Sequence, residues 1–497
     1  MNKKLRNQAI TAFECIYSRL QNLIYGCFVI SFAIEKYLFP LDYCIVMSVQ
    51  KDLTQGNLVK TLLLFALPYI GANFLQALYG AADLMIVGKF CDSSVVSAVS
   101  TGSQLLQTLI FFITGLTVSA TVLIAKAFGA KEYDNIVKII NTMTICFLIA
   151  SFILSALIIV FDVPLLNALK TPFEAFKSTQ DYVLICSLGL VFIFAYNAIS
   201  AVLRGLGNSI APMYFVAISC FVNIVADIIL IGKYNLGASG AAIATVFSQA
   251  ISVVIGLIYL KKGNFVFKFK FRGVKFDIQT AKELFKIGIP LSLQDTLVPL
   301  SFLCLFSIAN SMGVAASAAY GSVVRLNAFM MLPAGSFAMA LTALTAQSLG
   351  AGMMNRALNA LKLSIYFSFC FGFLFFVWQQ VAPKSAIAIF TTDKSVLESG
   401  ALYLKTFSYD YLLVPFVFCL NGFFFGCGRT LFAAVNSIIS AFVIRVPVGY
   451  VLCTTIAGST LFHLGIAAPC ASVLTIIIAI FYLRYLYKTD KLSLNSN

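Results

Sequence analysis

Histidine is nearly missing from this chain: its 497 residues include one, His463. Charge is scarce as well, with 11% of residues Asp, Glu, Lys or Arg. The 13 cysteines form no CxxC motif and no Cys/His set at metal-ligand spacing. Those absences argue against a metal centre, a dithiol redox site and a membrane enzyme built on a nucleophile–base pair. Cys146, Cys186, Cys220, Cys304, Cys370, Cys419 and Cys470 all sit inside apolar runs, where a thiol acts as a small hydrophobe. No stretch reads as a soluble signalling domain.

What the chain has instead is apolar sequence, 60% of the total. Runs of about 20 apolar residues recur from Leu58 almost to the end, each long enough to span a bilayer as a helix. β-barrel spans would be shorter and would alternate in polarity. The pattern predicts an all-α polytopic membrane protein with twelve spans. The first six fall near 58–87, 95–125, 138–161, 179–203, 211–231 and 238–260. The second six fall near 281–309, 315–347, 358–380, 398–424, 430–452 and 461–486.

The net charge of +15 does not mark a nucleic-acid binder, because the basic residues lie between the apolar runs rather than on one soluble domain. They read as topology determinants. The connection 261–277 alone carries Lys261, Lys262, Lys268, Lys270, Arg272 and Lys275, so the positive-inside rule places it in the cytoplasm. An even span count puts both termini there too, in a plasma or inner membrane. Within the first 46 residues, 23–46 are apolar but interrupted by Glu35, Lys36, Pro40 and Asp42. They form a poor span and lack a clear cleavage site. We expect translation to start at Met47, the alternative being an interfacial N-terminal helix. The expected organisation is an N-terminal segment (1–46), a first lobe (47–260), a basic linker (261–280), a second lobe (281–487) and a short tail (488–497).

The halves repeat at an offset near 221. "FALPYI" corresponds to "IGIPLS", with Pro68 opposite Pro290. "AKAFGAKEYDN" corresponds to "AQSLGAGMMNR", and "LRGLGNS" to "FFGCGRT". Six spans per half start both copies on the same side, giving two six-helix lobes in a parallel repeat, an arrangement typical of transporters. A substrate site would then lie between the lobes.

Four polar residues stand out in the apolar runs of the first half. Asn223 and Asp227 lie four apart in "VNIVADIIL", on one helical face. Asp227 is about four residues, or roughly 6 Å, from the end of its span. Asp83 and Thr245 fall at a similar depth on spans one and six. An Asp at the centre of a bilayer costs roughly 2.5–3.5 kcal/mol on insertion scales, so its presence calls for a use. Two carboxylates, an amide oxygen and a hydroxyl at one depth would suit a proton or a small hard cation such as sodium. The plainer alternative is polar bridging between helices. Pro68, fifteen residues before Asp83, breaks a backbone hydrogen bond and is expected to bend span one. At offsets of 221 to 222 Asp83 corresponds to Leu305, Asn223 to Ile444 and Asp227 to Val448, which confines the acidic cluster to one lobe. The second lobe has its own charges at Asp295, Arg325, Asp410 and Arg445. These are expected to form a buried ion-pair network or to contact substrate.

Several segments together resemble the multidrug and toxic compound extrusion (MATE) family: "LYGAADLMIVG", "RGLGN", "NIVADIILI", "GASGAAIATVFSQ" and "AQSLGA", with "DLTQGN" near the usual start of bacterial members. The resemblance covers about residues 50–487. It implies two six-helix lobes arranged as a V and export of amphipathic, often cationic, drugs in exchange for protons or sodium. In the branch resembling the DNA-damage-inducible group it implies a cation site at Asp83, Asn223, Asp227 and Thr245. A sodium-coupled branch uses a carboxylate pair on spans seven and ten. Asp295 and Asp410 are on those helices but not at that branch's spacing. The expected partners are small-molecule drugs or metabolites and membrane lipids, with no cofactor beyond H+ or Na+ and a functional monomer. A lipid-linked saccharide flippase of the same superfamily is the alternative. Such flippases usually have more spans and a cationic cavity.

Overall fold

The computed structural model describes residues 50–263, 265, 275–456 and 459–489. The segment 1–46, most of the basic connection and the C-terminal tail lie outside the described residues. Within them the chain is helical throughout, and ten helices are long and apolar enough to cross a membrane. They are α1 (Leu58–Phe90), α2 (Ser93–Gly129), α3 (Tyr133–Ala168), α5 (Ile210–Lys233), α6 (Gly237–Lys262), α7 (Ile278–Ser311), α8 (Val314–Gly350), α9 (Met354–Val381), α11 (Thr430–Thr455) and α12 (Leu461–Lys488). Two bent pairs complete the twelve: α4 (Phe173–Leu188 with Leu190–Gly205, 45°) and α10 (Lys394–Phe407 with Asp410–Gly426, 52°). The bends occupy corresponding places in the two halves. In α4 the break falls at Gly189, where a Cβ would come within 2.3 Å of Val246.

Local chemistry sets the helix ends. Asn57 caps α1 by accepting from the Lys60 N–H, and Asp277 caps α7 by accepting from the Thr280 N–H at 2.8 Å and its hydroxyl at 2.6 Å. Those bonds, with Lys138 at 3.1 Å, hold the Asp277 carboxyl at about 2, below the usual carboxylate range. Pro68 does not break α1, which runs as one helix from Leu58 to Phe90. Pro68 lies inside it, ten positions after Leu58. α8 is interrupted at Met331, between Val314–Met330 and Leu332–Gly350.

The lobes meet through α1 and α2 of the first and α7 and α8 of the second. Ser292 Oγ donates to the Phe112 carbonyl at 2.6 Å, and Asn73 Nδ2 to Ser336 Oγ at 3.0 Å. Toward the side bearing the basic connection the approach becomes backbone-close. A Cβ on Gly129 would lie 2.0 Å from the Gln347 carbonyl, and one on Gly350 would lie 2.0 Å from that of Lys126. Both pairs are related by the 221-residue offset, so the contact is its own mirror in the repeat.

The polar stretch before α1 is tied into this seam. Lys51 N–H donates to the Leu206 carbonyl of the first lobe at 2.9 Å. Leu53 is fully buried, and its N–H donates to Gln347 Oε1 of the second lobe at 3.0 Å. Arg356 donates to the carbonyls of Leu53, Gln55 and Gly56 at 2.8–3.1 Å. Gln347 Nε2 also reaches across to the Gly205 carbonyl at 2.8 Å.

Candidate functional site

Three of the four singled-out residues are deeply buried in the first lobe: Asn223 and Asp227 on α5 completely, and Asp83 on α1 almost so. The fourth, Thr245 on α6, is half-buried. The side chains of Asp83 and Asp227 lie within hydrogen-bonding reach of one another. Among the described residues no group donates a hydrogen bond to Asp83 Oδ1 or to either Asp227 oxygen, and the Asn223 amide is unpartnered at both oxygen and nitrogen. Buried polar atoms are nearly always satisfied, so five orphan atoms on three neighbouring side chains are unusual. The oxygens among them are hard donors, which fits a proton or a small hard cation. Among the described residues no three or more His, Cys, Asp and Glu side chains are grouped so as to hold a metal ion.

Neighbouring helices shape the cluster. Tyr79, one turn before Asp83 on α1, donates its hydroxyl to Thr245 Oγ1 at 3.1 Å and so ties α1 to α6. Tyr182 and Cys186, on the first half of α4, are within electrostatic reach of Asp83. Tyr182 packs where α2 carries Gly102, whose added Cβ would lie 2.4 Å from the ring. Sequence reading passed over Tyr79, Tyr182 and Cys186 because aromatic and thiol groups in an apolar run look like packing. The four-residue step from Tyr79 to Asp83 was the available signal. Immediately after Asp227, α5 loosens into a π-helical turn, Ile228–Lys233, a feature frequent at functional sites.

The second lobe departs from expectation in three ways. Arg325 is exposed rather than buried. No ion pair joins Asp295, Arg325, Asp410 and Arg445. The charged pairs among the described residues are Lys138–Asp277, Lys177–Asp181 and Lys384–Glu398. Asp410 instead accepts from Ser472 at 2.5 Å, Arg445 donates to Ser301 Oγ at 2.9 Å, and Asp295 is half-buried. The third departure is register. α11 contains its own π turn, Ser440–Arg445, which accommodates one extra residue. Beyond it the offset is 222, so Asp227 corresponds to Gly449 and Asn223 to Arg445, not to Val448 and Ile444. Packing agrees: Leu305, the counterpart of Asp83, closes on Gly449, where a Cβ would lie 2.6 Å from its Cδ2.

The MatE family profile matches residues 68–229 and again 290–451. The chain belongs to the MatE family. Its two matched segments start and end 222 residues apart, which is the offset of α1 to α7 and of the ends of α5 and α11. MatE proteins are membrane transporters and not enzymes. Similar proteins include one named probable multidrug resistance protein YpnP from Bacillus subtilis, 29% identical over 403 residues, or 80% of this chain and 88% of that protein. Another is multidrug export protein MepA from Staphylococcus aureus strain NCTC 8325, 26% identical over 398 residues, covering 79% and 87%. Among solved structures, one described as the outward-facing conformation of a multidrug resistance MATE family transporter aligns with a TM-score of 0.83 at 20% identity. It covers 88% of this chain and 98% of that one. A MATE structure in the bent conformation aligns with a TM-score of 0.82 at 21% identity, covering 88% and 98%. This MatE chain therefore has the two-lobe, twelve-helix fold.

Proposed function

We propose that this MatE protein is a secondary active exporter of amphipathic, cationic compounds, driven by H+ or Na+ bound at Asp83, Asn223, Asp227 and Thr245. The observation that carries the reading is the contact between Asp83 and Asp227 inside the first lobe. Two like charges in contact away from water repel strongly, and a hydrogen bond between two carboxyls requires a proton between them. A proton or sodium ion supplied from one side would neutralise the pair, and its release on the other would restore the repulsion. α1 and α5 each carry one carboxylate, so that change in charge acts directly on the packing of two helices. Tyr79 and Thr245 would transmit it to α6.

The substrate path we assign to the space between the lobes. Phe74 on α1 and Phe329 on α8 face one another across it, 6.4 Å apart and both partly exposed. Aromatic faces attract organic cations by roughly 0.5–2 kcal/mol each. The half-buried Asp295 adds a negative group on α7. The names of the relatives, multidrug resistance and multidrug export proteins, support this substrate class. An acidic first lobe and twelve spans do not favour the flippase reading. We place the basic connection and both termini in the cytoplasm of a plasma membrane, where export would run outward.

The test is efflux of a cationic dye from vesicles in which pH and sodium gradients are imposed separately. Export driven by one or both gradients is expected. Export that requires neither, or that protects cells only from neutral and anionic compounds, would refute the proposal.

A further inference from the structure

The corrected register sets five positions of the second lobe against the first-lobe cluster and its neighbours on α1. Ser301 stands for Tyr79, Phe302 for Gly80, Leu305 for Asp83 and Arg445 for Asn223, with Gly449 in the place of Asp227. The exchange is coordinated. Both carboxylates have gone, and their space is closed by Leu305 against Gly449. The amide has become a guanidinium. The residue that replaces a glycine is an aromatic ring, and the Arg445 guanidinium lies over it at 4.2 Å. Its Nη1 donates to Ser301 Oγ at 2.9 Å. The Arg445 side chain is only 9% exposed, and its Nε has no partner. Asp410, itself fixed by Ser472 at 2.5 Å, lies close enough to act on it electrostatically, as do the hydroxyl-bearing rings of Tyr320 and Tyr403.

A buried guanidinium without a direct carboxylate partner is costly to hold, and packing alone would be served by methionine. We infer that Arg445 is a resident cation: the second lobe retains a cation site, lined by Ser301, the Phe302 face and the negative field of Asp410, and fills it permanently with a side chain. The ligand class of that site is a monovalent organic cation of guanidinium shape. The first lobe exchanges its ion with solution and the second cannot, so one lobe switches and the other stays in a single charge state. This contrast rests on the ion-binding reading of Asp83 and Asp227, but the existence of the second-lobe site does not.

The experiment uses the full-length protein in detergent, with methylguanidinium chloride as probe and sodium chloride at equal ionic strength as control. Arg445→Ala should lower the melting temperature. Millimolar methylguanidinium should then recover more than half of the loss, while leaving the wild type unmoved. Adding Asp410→Asn to Arg445→Ala should abolish that response, because the counter-charge is gone. An Arg445→Ala protein as stable as wild type, or one equally blind to the probe with and without Asp410, overturns the inference. If Arg445→Ala fails to accumulate, Arg445→Lys and Arg445→Met decide the matter. Charge retention predicts that Lys preserves folding and dye export and Met does not, and equal behaviour of the two overturns it. Loss of gradient-driven export in wild type would refute the ion-coupling reading while leaving the methylguanidinium result intact, so the two failures are distinguishable.

Discussion

Asp227→Asn separates coupling from folding. The residue is wholly buried, and the amide has nearly the volume of the carboxyl, so no cavity forms. The charge change is favourable to the fold: Asp83 lacks a donor at Oδ1, and the new NH2 group can supply one. A hydrogen bond of that kind is worth about 0.5–1.5 kcal/mol net, so the variant should melt at or above the wild-type temperature. Transport should move the other way. One proton exchanged per cycle supplies about 1.4 kcal/mol per pH unit, enough to sustain a tenfold dye gradient for each unit imposed across electrically neutral vesicles. An amide neither takes up nor releases a proton in this range. The expected steady state is therefore no gradient, while dye equilibration through the protein persists in either direction. The assay is dye distribution in vesicles matched for protein content, alongside melting curves. Wild-type accumulation by Asp227→Asn would show that the ion site lies elsewhere. A variant that unfolds would show that the carboxyl is structural.

Other substitutions probe the rest of the molecule. Asp295→Asn and Asp410→Asn should both retain gradient dependence, and Asp295→Asn should weaken export of cationic dyes more than of neutral ones, measured as relative efflux rates. Gly129→Ala places a Cβ 2.0 Å from the Gln347 carbonyl, so it should force the lobes apart on the basic side. Cysteine labelling near Gly205 should rise severalfold and export should fall. A single cysteine at Gly263 in a cysteine-free background should stay unreactive toward an impermeant reagent in intact cells. Labelling there would invert the topology.

Much of this was legible in the sequence because a bilayer imposes simple demands. Every span must be long and apolar, and the twelve runs declared themselves, even where α4 and α10 bend at their middles. Asp83, Asn223 and Asp227 were legible for the same reason, since a polar group in an apolar run has no packing explanation. Tyr79 was not, because a tyrosine at helical spacing looks like core until its hydroxyl is seen on Thr245. The meaning of Arg445 was hidden by a single residue: the π turn of α11 slips the register, and an offset of 221 paired Asn223 with Ile444. The stretch before α1 is polar in sequence, yet Leu53 is among the fully buried residues, because its depth depends on Gln347 and Arg356 some 300 positions away.

The reciprocal seat of Gly129 on Gln347 and Gly350 on Lys126 bears on how such a molecule can be driven. That end of the seam closes carbonyl against Cα at both crossing points. Its geometry is a fulcrum. Any force that parts the helices there must be applied elsewhere along their length and arrive as leverage, with α1 and α2 as the arm. The chemistry of the first-lobe carboxylates, several turns away toward the opposite face, is then well sited: a small displacement at the far end of a stiff helix is worth more, as torque, than a larger one beside the pivot.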